Sequence, residues 1–501
     1  MSSTSPRKTP AGRPGRALRR RTWLATGAAG LTGVVGLAAF GVATAGTSDA
    51  TAAPRVAAAR ASDEGGYARD DRGGQQGHDG KGEERKGEDR KGEDALGRAQ
   101  EIPCDPNRLI AAIVRANAEH SGATLKLAKE CRYSLLTGPN ATGLPTITSE
   151  INIIGERSTI ERAYNLPNAG ATAFRLFRVG NGGSLRLYDV TLRNGLTAAV
   201  GVTPASGGAI LVDAGGRLLV EKSTLTGNNV IGTTTTTPAT GGAIENAGST
   251  VVKHSAFTVN NAFTGGGAIH NTGRLVVEDS LFEANKAGSP TDGGGGIDSV
   301  SGSVTIVKSK FVGNAAGGLG GGLNVAGGSA DVAETEFKLN IATISGGGVA
   351  VTGTGTQAQL RKVELVENTA VAPALTQPGA GGGGVFVGAG SAVTVHEAKV
   401  VANSAGQGNG GGFLNLGSLV LFDTTIARNQ AVNGAGIYNA ASGTVTATRT
   451  TITDNQAIVA GGGIFNAAAA TAVTLDPTTK VFHNSPDNCA GPGTPIVNCF
   501  G

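Results

Sequence analysis

Two short motifs alternate ten times along the chain, at a spacing of roughly 26 residues, and this repetition constrains the fold more than any other feature. The first, Gly-Gly-x-apolar, ends at Ile210, Ile244, Ile269, Ile297, Leu323, Val349, Val385, Phe413, Ile437 and Ile464, with Gly434-Ala435-Gly436 as its loosest copy. The second, apolar-x-x-Asn, ends at Asn228, Asn260, Asn285, Asn314, Asn340, Asn368, Asn403, Asn429, Asn455 and Asn484. A unit this short cannot bury its own apolar face, but stacked neighbours can cover one another. Within a unit the apolar residues alternate. Ile269 lies on one short segment, Leu275 and Val277 on a second, and Ser280 and Phe282 on a third that ends at Asn285. Period-two alternation reads as strand, so each unit is expected to supply three short strands.

Stacking such units in register makes columns of like residues. One column is Phe257, Phe282, Phe311, Phe337, Leu365, Val400, Ile426 and Ile452, and another is Ser255, Ser280, Ser309 and Thr335. Both should point inward, and the asparagines should take turn geometry and form an amide ladder. The expected fold is all-β, a right-handed parallel β-helix solenoid of about thirteen coils. With coils about 4.8 Å apart, the rod is near 60 Å long. The right-handedness follows from the general rule for parallel crossovers.

Composition agrees. Glycine supplies 82 of 501 residues and aromatic side chains only 4%, too few large groups for one conventional core of this size. Residues 1–100 carry a net charge of +5 and the remainder −1, so the repeat region lacks the basic footprint of a nucleic-acid binder. Cys104, Cys131, Cys489 and Cys499 bracket the repeats in two local pairs. Zinc spacing is absent, so two end-stapling disulfides are expected, and neither a metal nor a cofactor is implied.

Residues 1–53 read as an export signal. Basic residues precede the apolar stretch Leu24 to Ala45, and Arg20-Arg21-Thr22-Trp23-Leu24 resembles a twin-arginine signal. That stretch is too rich in glycine and alanine for a stable transmembrane anchor. Residues 54–100, with the mixed-charge run from Lys81 to Asp94, read as a disordered linker. The β-helix is then expected over 101–501, with caps at 101–135 and 485–501. Leu109, Ile110, Ile113, Val114 and Ala116 stand at helical spacing and predict a short N-terminal capping helix. The expected location is extracellular, in solution or at the cell surface.

The alternation of Gly-Gly-Ala-Ile (207–210, 241–244) with Phe-x-x-Asn (257–260, 282–285, 311–314, 337–340) resembles the repeats of polymorphic outer membrane proteins, over about residues 205–484. The segment Cys104 to Asn117 also resembles a short module found ahead of such helices. The resemblance implies a surface protein used in adhesion, although this sequence contains no C-terminal membrane barrel. The wider resemblance is to the pectate-lyase-like β-helix superfamily, which contains both enzymes and binding proteins.

The residue following each Gly-Gly-x-apolar motif forms an outward row: Leu211, Glu245, His270, Asp298, Asn324, Ala350, Phe386, Leu414, Tyr438 and Phe465. Its first half reads as polar and ionisable and its second half as aromatic. The position before the apolar residue is always alanine or glycine, which suggests a bare groove floor beside the row. Insertions at 195–206, 229–240, 286–293 and 369–381 fall at one corner, where solenoids place binding loops. A sugar chain suits such a groove, with Asn324, Phe386, Tyr438 and Phe465 as ligand contacts. The leading expectation is therefore a non-catalytic binder of a polysaccharide or surface ligand. The competing expectation is a polysaccharide hydrolase or lyase using Glu245, His270 and Asp298, with the carboxylates two coils apart as an inverting pair and His270 as acid or base. A second row, His254, Asp279, Lys308, Glu334, Lys362, Glu397, Asp423 and Arg449, largely alternates in sign and reads as lateral ion pairing between coils.

Overall fold

The computed structural model describes residues 99–500, apart from 120–121, 164–172, 200–202, 233–236, 291–292, 373–379 and 493–494. The expected export signal and nearly all of the charged linker lie outside these residues. The described chain is a parallel β-solenoid of about thirteen turns. A ladder of 12 strands runs from Phe177–Val179 to Cys489–Ala490 and carries the Gly-Gly-x-apolar motif. A 25-stranded sheet holds the second and third strands of every coil, joined through the long strands Glu150–Arg162 and Ser184–Arg193. Every register is parallel, as in Ile244 opposite Ile269 opposite Ile297.

Many coils contain a fourth strand that the motif count did not foresee. It follows the asparagine and forms a seven-stranded ladder from Leu196–Ala198 to Thr369–Ala370. These strands are mostly two or three residues long, too short to show periodicity in sequence.

The expected columns are interior. Phe257, Phe282, Phe311 and Phe337 are fully buried. Their rings stack at 4.8, 4.7 and 4.8 Å. Asparagines 228 to 484 form one continuous ladder. In each step the side-chain amide and the backbone N–H both donate to the Oδ1 of the next asparagine, as Asn285 does to Asn314 at 2.9 and 3.0 Å. The second amide hydrogen goes to a carbonyl of the preceding coil, such as Phe257 O at 2.9 Å. The asparagines do not themselves take the left-handed turn. That conformation falls one residue earlier, at Val259 (φ 55°), Ala284 (φ 53°) and Leu339 (φ 57°). The serine column repeats only the backbone bond, with Ser255 N donating to Ser280 Oγ at 3.1 Å, while the Ser280 hydroxyl donates to Glu278 O at 2.7 Å.

The small residues before each motif apolar residue are not a groove floor. They face the core. A Cβ on Gly322 would lie 2.8 Å from Phe337 Cδ1, and one on Gly296 would lie 2.9 Å from Phe311 Cδ1. Glycine and alanine are required there because the ring column fills the space opposite.

One helix, α1 (Pro106–Glu119), buries Leu109, Ala112, Ile113 and Ala116 against the first coils, while Val114 is exposed. Disulfides join Cys104 to Cys131 and Cys489 to Cys499. Ile496 packs into the core at the far end. The second charged row occupies left-handed bends, from His254 (φ 47°) to Arg449 (φ 48°). It pairs His254 with Asp279 at 3.7 Å and Arg449 with Asp423 at 2.6 Å.

Candidate functional site

The outward row lies in a concave corner. In the coils that carry the Gly-Gly-x-apolar motif a glycine with positive φ, such as Gly241 (66°), Gly266 (68°) and Gly294 (71°), folds the chain so that the residue before it faces the row. Those wall residues are Thr240, Gly265, Gly293, Leu319 and Ser345, beside Glu245, His270, Asp298, Asn324 and Ala350 respectively.

Here the polar half of the row closes on itself. Thr240 Oγ1 donates to Glu245 Oε2 at 2.7 Å. His270 Nδ1 lies 2.8 Å from Glu245 Oε1, and its Nε2 lies 3.8 Å from Asp298 Oδ2. Asn324 Nδ2 donates to Asp298 Oδ1 at 2.8 Å. The side chains of Glu245, His270 and Asp298 are only 12%, 13% and 5% exposed, so they are not ordinary surface groups. The wall makes this possible, because a Cβ on Gly265 would lie 2.1 Å from Asp298 Oδ2. Gly293 leaves similar room for the Asn324 amide.

Later coils show what the corner otherwise accepts. Ala350, Phe386 and Leu414 are buried there as an apolar cluster, with Leu319, Leu416 and Tyr438 packed against it. Three consecutive coils thus place ionisable groups where apolar ones fit, at a desolvation cost that apolar replacements avoid. Such placements concentrate at functional sites. The carboxylates do not flank an open space, as an inverting pair requires, because the His270 imidazole stands between them. Donation from Nδ1 to Glu245 leaves the neutral ring with its acceptor nitrogen toward Asp298. A proton at Nε2 makes an imidazolium held between two carboxylates.

Of the residues expected to contact a ligand, Asn324 and Phe386 are buried, at 5% and 8% exposure. Tyr438 and Phe465 are half-buried and stack in parallel at 5.2 Å. Burial pushes the Tyr438 phenol above its usual range. The next coil places Ala490 opposite Phe465, and among the described residues the ring stacked on Phe465 is that of Tyr438. Beside the pair, Asn433 Nδ2 donates to Asn409 Oδ1 at 3.0 Å.

Motif counting missed the beginning of the row. Arg178 pairs with Leu211 as Leu211 pairs with Glu245. Its coil reads Phe174-Arg175-Leu176-Phe177 in place of Gly-Gly-x-apolar, so only the register reveals it. Arg178 Nε donates to Asp213 Oδ2 at 2.8 Å. Burial, with Arg178 nearby, pushes Arg175 down to about 10, opposed by the Asp213 and Glu245 carboxylates. Among the described residues no group of three or more His, Cys, Asp or Glu is placed to hold a metal ion. No described helix is long and apolar enough to cross a membrane.

These features define a right-handed parallel β-helix protein. Residues 176–362 match the family model described as a right handed beta helix region. Similar solved structures include the A-module of a mannuronan C-5 epimerase from Azotobacter vinelandii, at 13% identity and a TM-score of 0.41, covering 78% of this chain and 96% of that one. The Dettilon tailspike protein is similar at 11% identity and a TM-score of 0.40, covering 77% of this chain and 64% of that one. A tailspike protein of E. coli bacteriophage HK620 is similar at 14% identity and a TM-score of 0.37, covering 80% and 79%. No curated protein sequence matches the chain.

Proposed function

We propose that this is an exported β-helix protein that binds a polysaccharide along its concave corner without transforming it. One observation carries the reading. The row ends in the half-buried Tyr438–Phe465 stack, whose outer face looks toward Ala490 rather than another ring. A flat apolar face of this kind is one on which a sugar ring rests, with hydroxyls bonded at its edge. The two disulfides fit an oxidising compartment. The test is a polysaccharide panel on the purified chain, with Phe465→Ala beside the parent and reaction products assayed on every polymer retained. Retention lost in Phe465→Ala, with no new reducing ends or unsaturated products, supports the reading.

The convergence of Glu245, His270 and Asp298 favours a second reading, a polysaccharide-active enzyme. In it His270 moves the proton and Glu245 fixes its tautomer. Product formation that disappears in Glu245→Gln would replace the binding reading with this one.

A further inference from the structure

The N-terminal end of the row opens into a cavity of about 590 Å³ beside α1, lined by Ile110, Pro139, Asn140, Thr142, Thr146 and Arg178 among others. Arg178 is the only charged side chain among the described residues lining it. Its side chain is 46% exposed, and its one ion pair uses Nε, toward Asp213. Arg175 lies close by and, among the described residues, donates to a neutral acceptor, Ser206 O, at 3.3 and 3.0 Å from Nε and Nη2. Glu245, the next carboxylate along the row, is engaged by Thr240 and His270. Of these two guanidinium groups only Arg178 bonds a carboxylate directly and lines the cavity, whose other described lining residues offer hydroxyls, an amide, proline rings and the aliphatic side chains of Ile110 and Leu144.

We propose that this cavity binds a sugar residue bearing a carboxylate. The carboxylate meets the outer nitrogens of Arg178, the geometry in which a guanidinium fork is strongest. Asn140, Thr142 and Thr146 take the ring hydroxyls, and Pro139 and Pro145 cover a C–H face. The choice of a sugar rests on the polysaccharide reading above. The anion preference rests on the arginines alone.

The test uses monosaccharides, so that it does not depend on the Phe465 platform. Titration of the full chain with glucuronate, followed by NMR or calorimetry, should show saturable binding at least tenfold tighter than glucose. Arg178→Gln should weaken it tenfold or more. Asp213→Asn should tighten it several-fold by releasing the guanidinium from its internal partner. Phe465→Ala should leave it unchanged, which separates this site from the one proposed for the polymer. Equal binding of glucose, or no change in Arg178→Gln, overturns the anion site. Acetate binding as tightly as glucuronate overturns the assignment to a sugar.

Discussion

Asn314 shows how much one buried side chain can hold. Its Oδ1 accepts from both the backbone and the side chain of Asn285, while its own amide donates to Phe282 O and Asn340 Oδ1. Asn314→Leu leaves two buried donors of Asn285 without an acceptor. The expected loss is about 3 kcal/mol or more, measured by denaturant unfolding. An unchanged unfolding midpoint would contradict a bonded ladder. Val259 carries the opposite lesson. It is β-branched, 62% exposed, and held at φ 55°. Left-handed backbone is costly for such a residue and acceptable for asparagine. Val259→Asn should therefore stabilise the fold by roughly 1 kcal/mol in the same measurement. The asparagines and the phenylalanine column were legible in sequence because identical residues recur at one phase. The left-handed positions were not, because Val259, Ala284, Leu339 and Glu367 share a backbone angle but no side-chain chemistry.

At the scale of elements, strands are held apart by the size of what lies between them. Gly322 faces Phe337 across the interior of one coil. Gly322→Val should cost about 1–3 kcal/mol by overpacking, and Phe337→Ala should restore part of the loss in a double-mutant cycle. Additive losses would mean that the two sites do not touch. The last coil has a pH-sensitive corner. Hydroxyl donation from Thr478 and Thr479, helped by the backbone N–H groups of Arg449 and Thr479 and opposed by partial burial, lowers Asp476 to about 2. The unfolded value is about 3.9. A carboxyl lowered on folding stabilises fully above its unfolded value and loses that contribution as pH falls toward its folded one. Hydrogen exchange should thus show the coil around Asp476 opening between about pH 4 and pH 2, before the central coils. The Asp476→Asn variant should lose this pH dependence. The polar chain on the row was half legible. The residue types at 245, 270 and 298 stood out, but their closure depended on Gly265 and Gly293, which looked like members of featureless glycine runs. The small residues read as a groove floor are interior for a related reason. A doubled glycine turn shifts the phase of alternation, so counting by twos from the motif assigns the wrong face.

Across the whole molecule, each coil is stabilised by its neighbours, and the two ends have a neighbour on one side only. The disulfides lie at those ends. Reductant should raise exchange near Cys104 and Cys489 while leaving residues 280–400 protected, and uniform loss would contradict a fold that opens from its ends. The repeat made the architecture readable at this scale because stacking converts a sequence period directly into a spatial one. The ligand was not readable in the same way. The surface row changes character along its length, from Arg178 through the Glu245–Asp298 chain to Phe465, and no period reports what such a row contacts.

The most direct test of the account is calorimetric titration of the polysaccharide retained most tightly from the panel, against the parent chain, Phe465→Ala and Glu245→Gln, with products analysed after each run. The parent should bind saturably, and Phe465→Ala should lose at least tenfold in affinity. Glu245→Gln should change binding little, and the polymer should stay intact throughout. Cleaved or desaturated polymer with the parent, absent with Glu245→Gln, would contradict the binding reading and make the buried Glu245–His270–Asp298 chain the working part of the molecule.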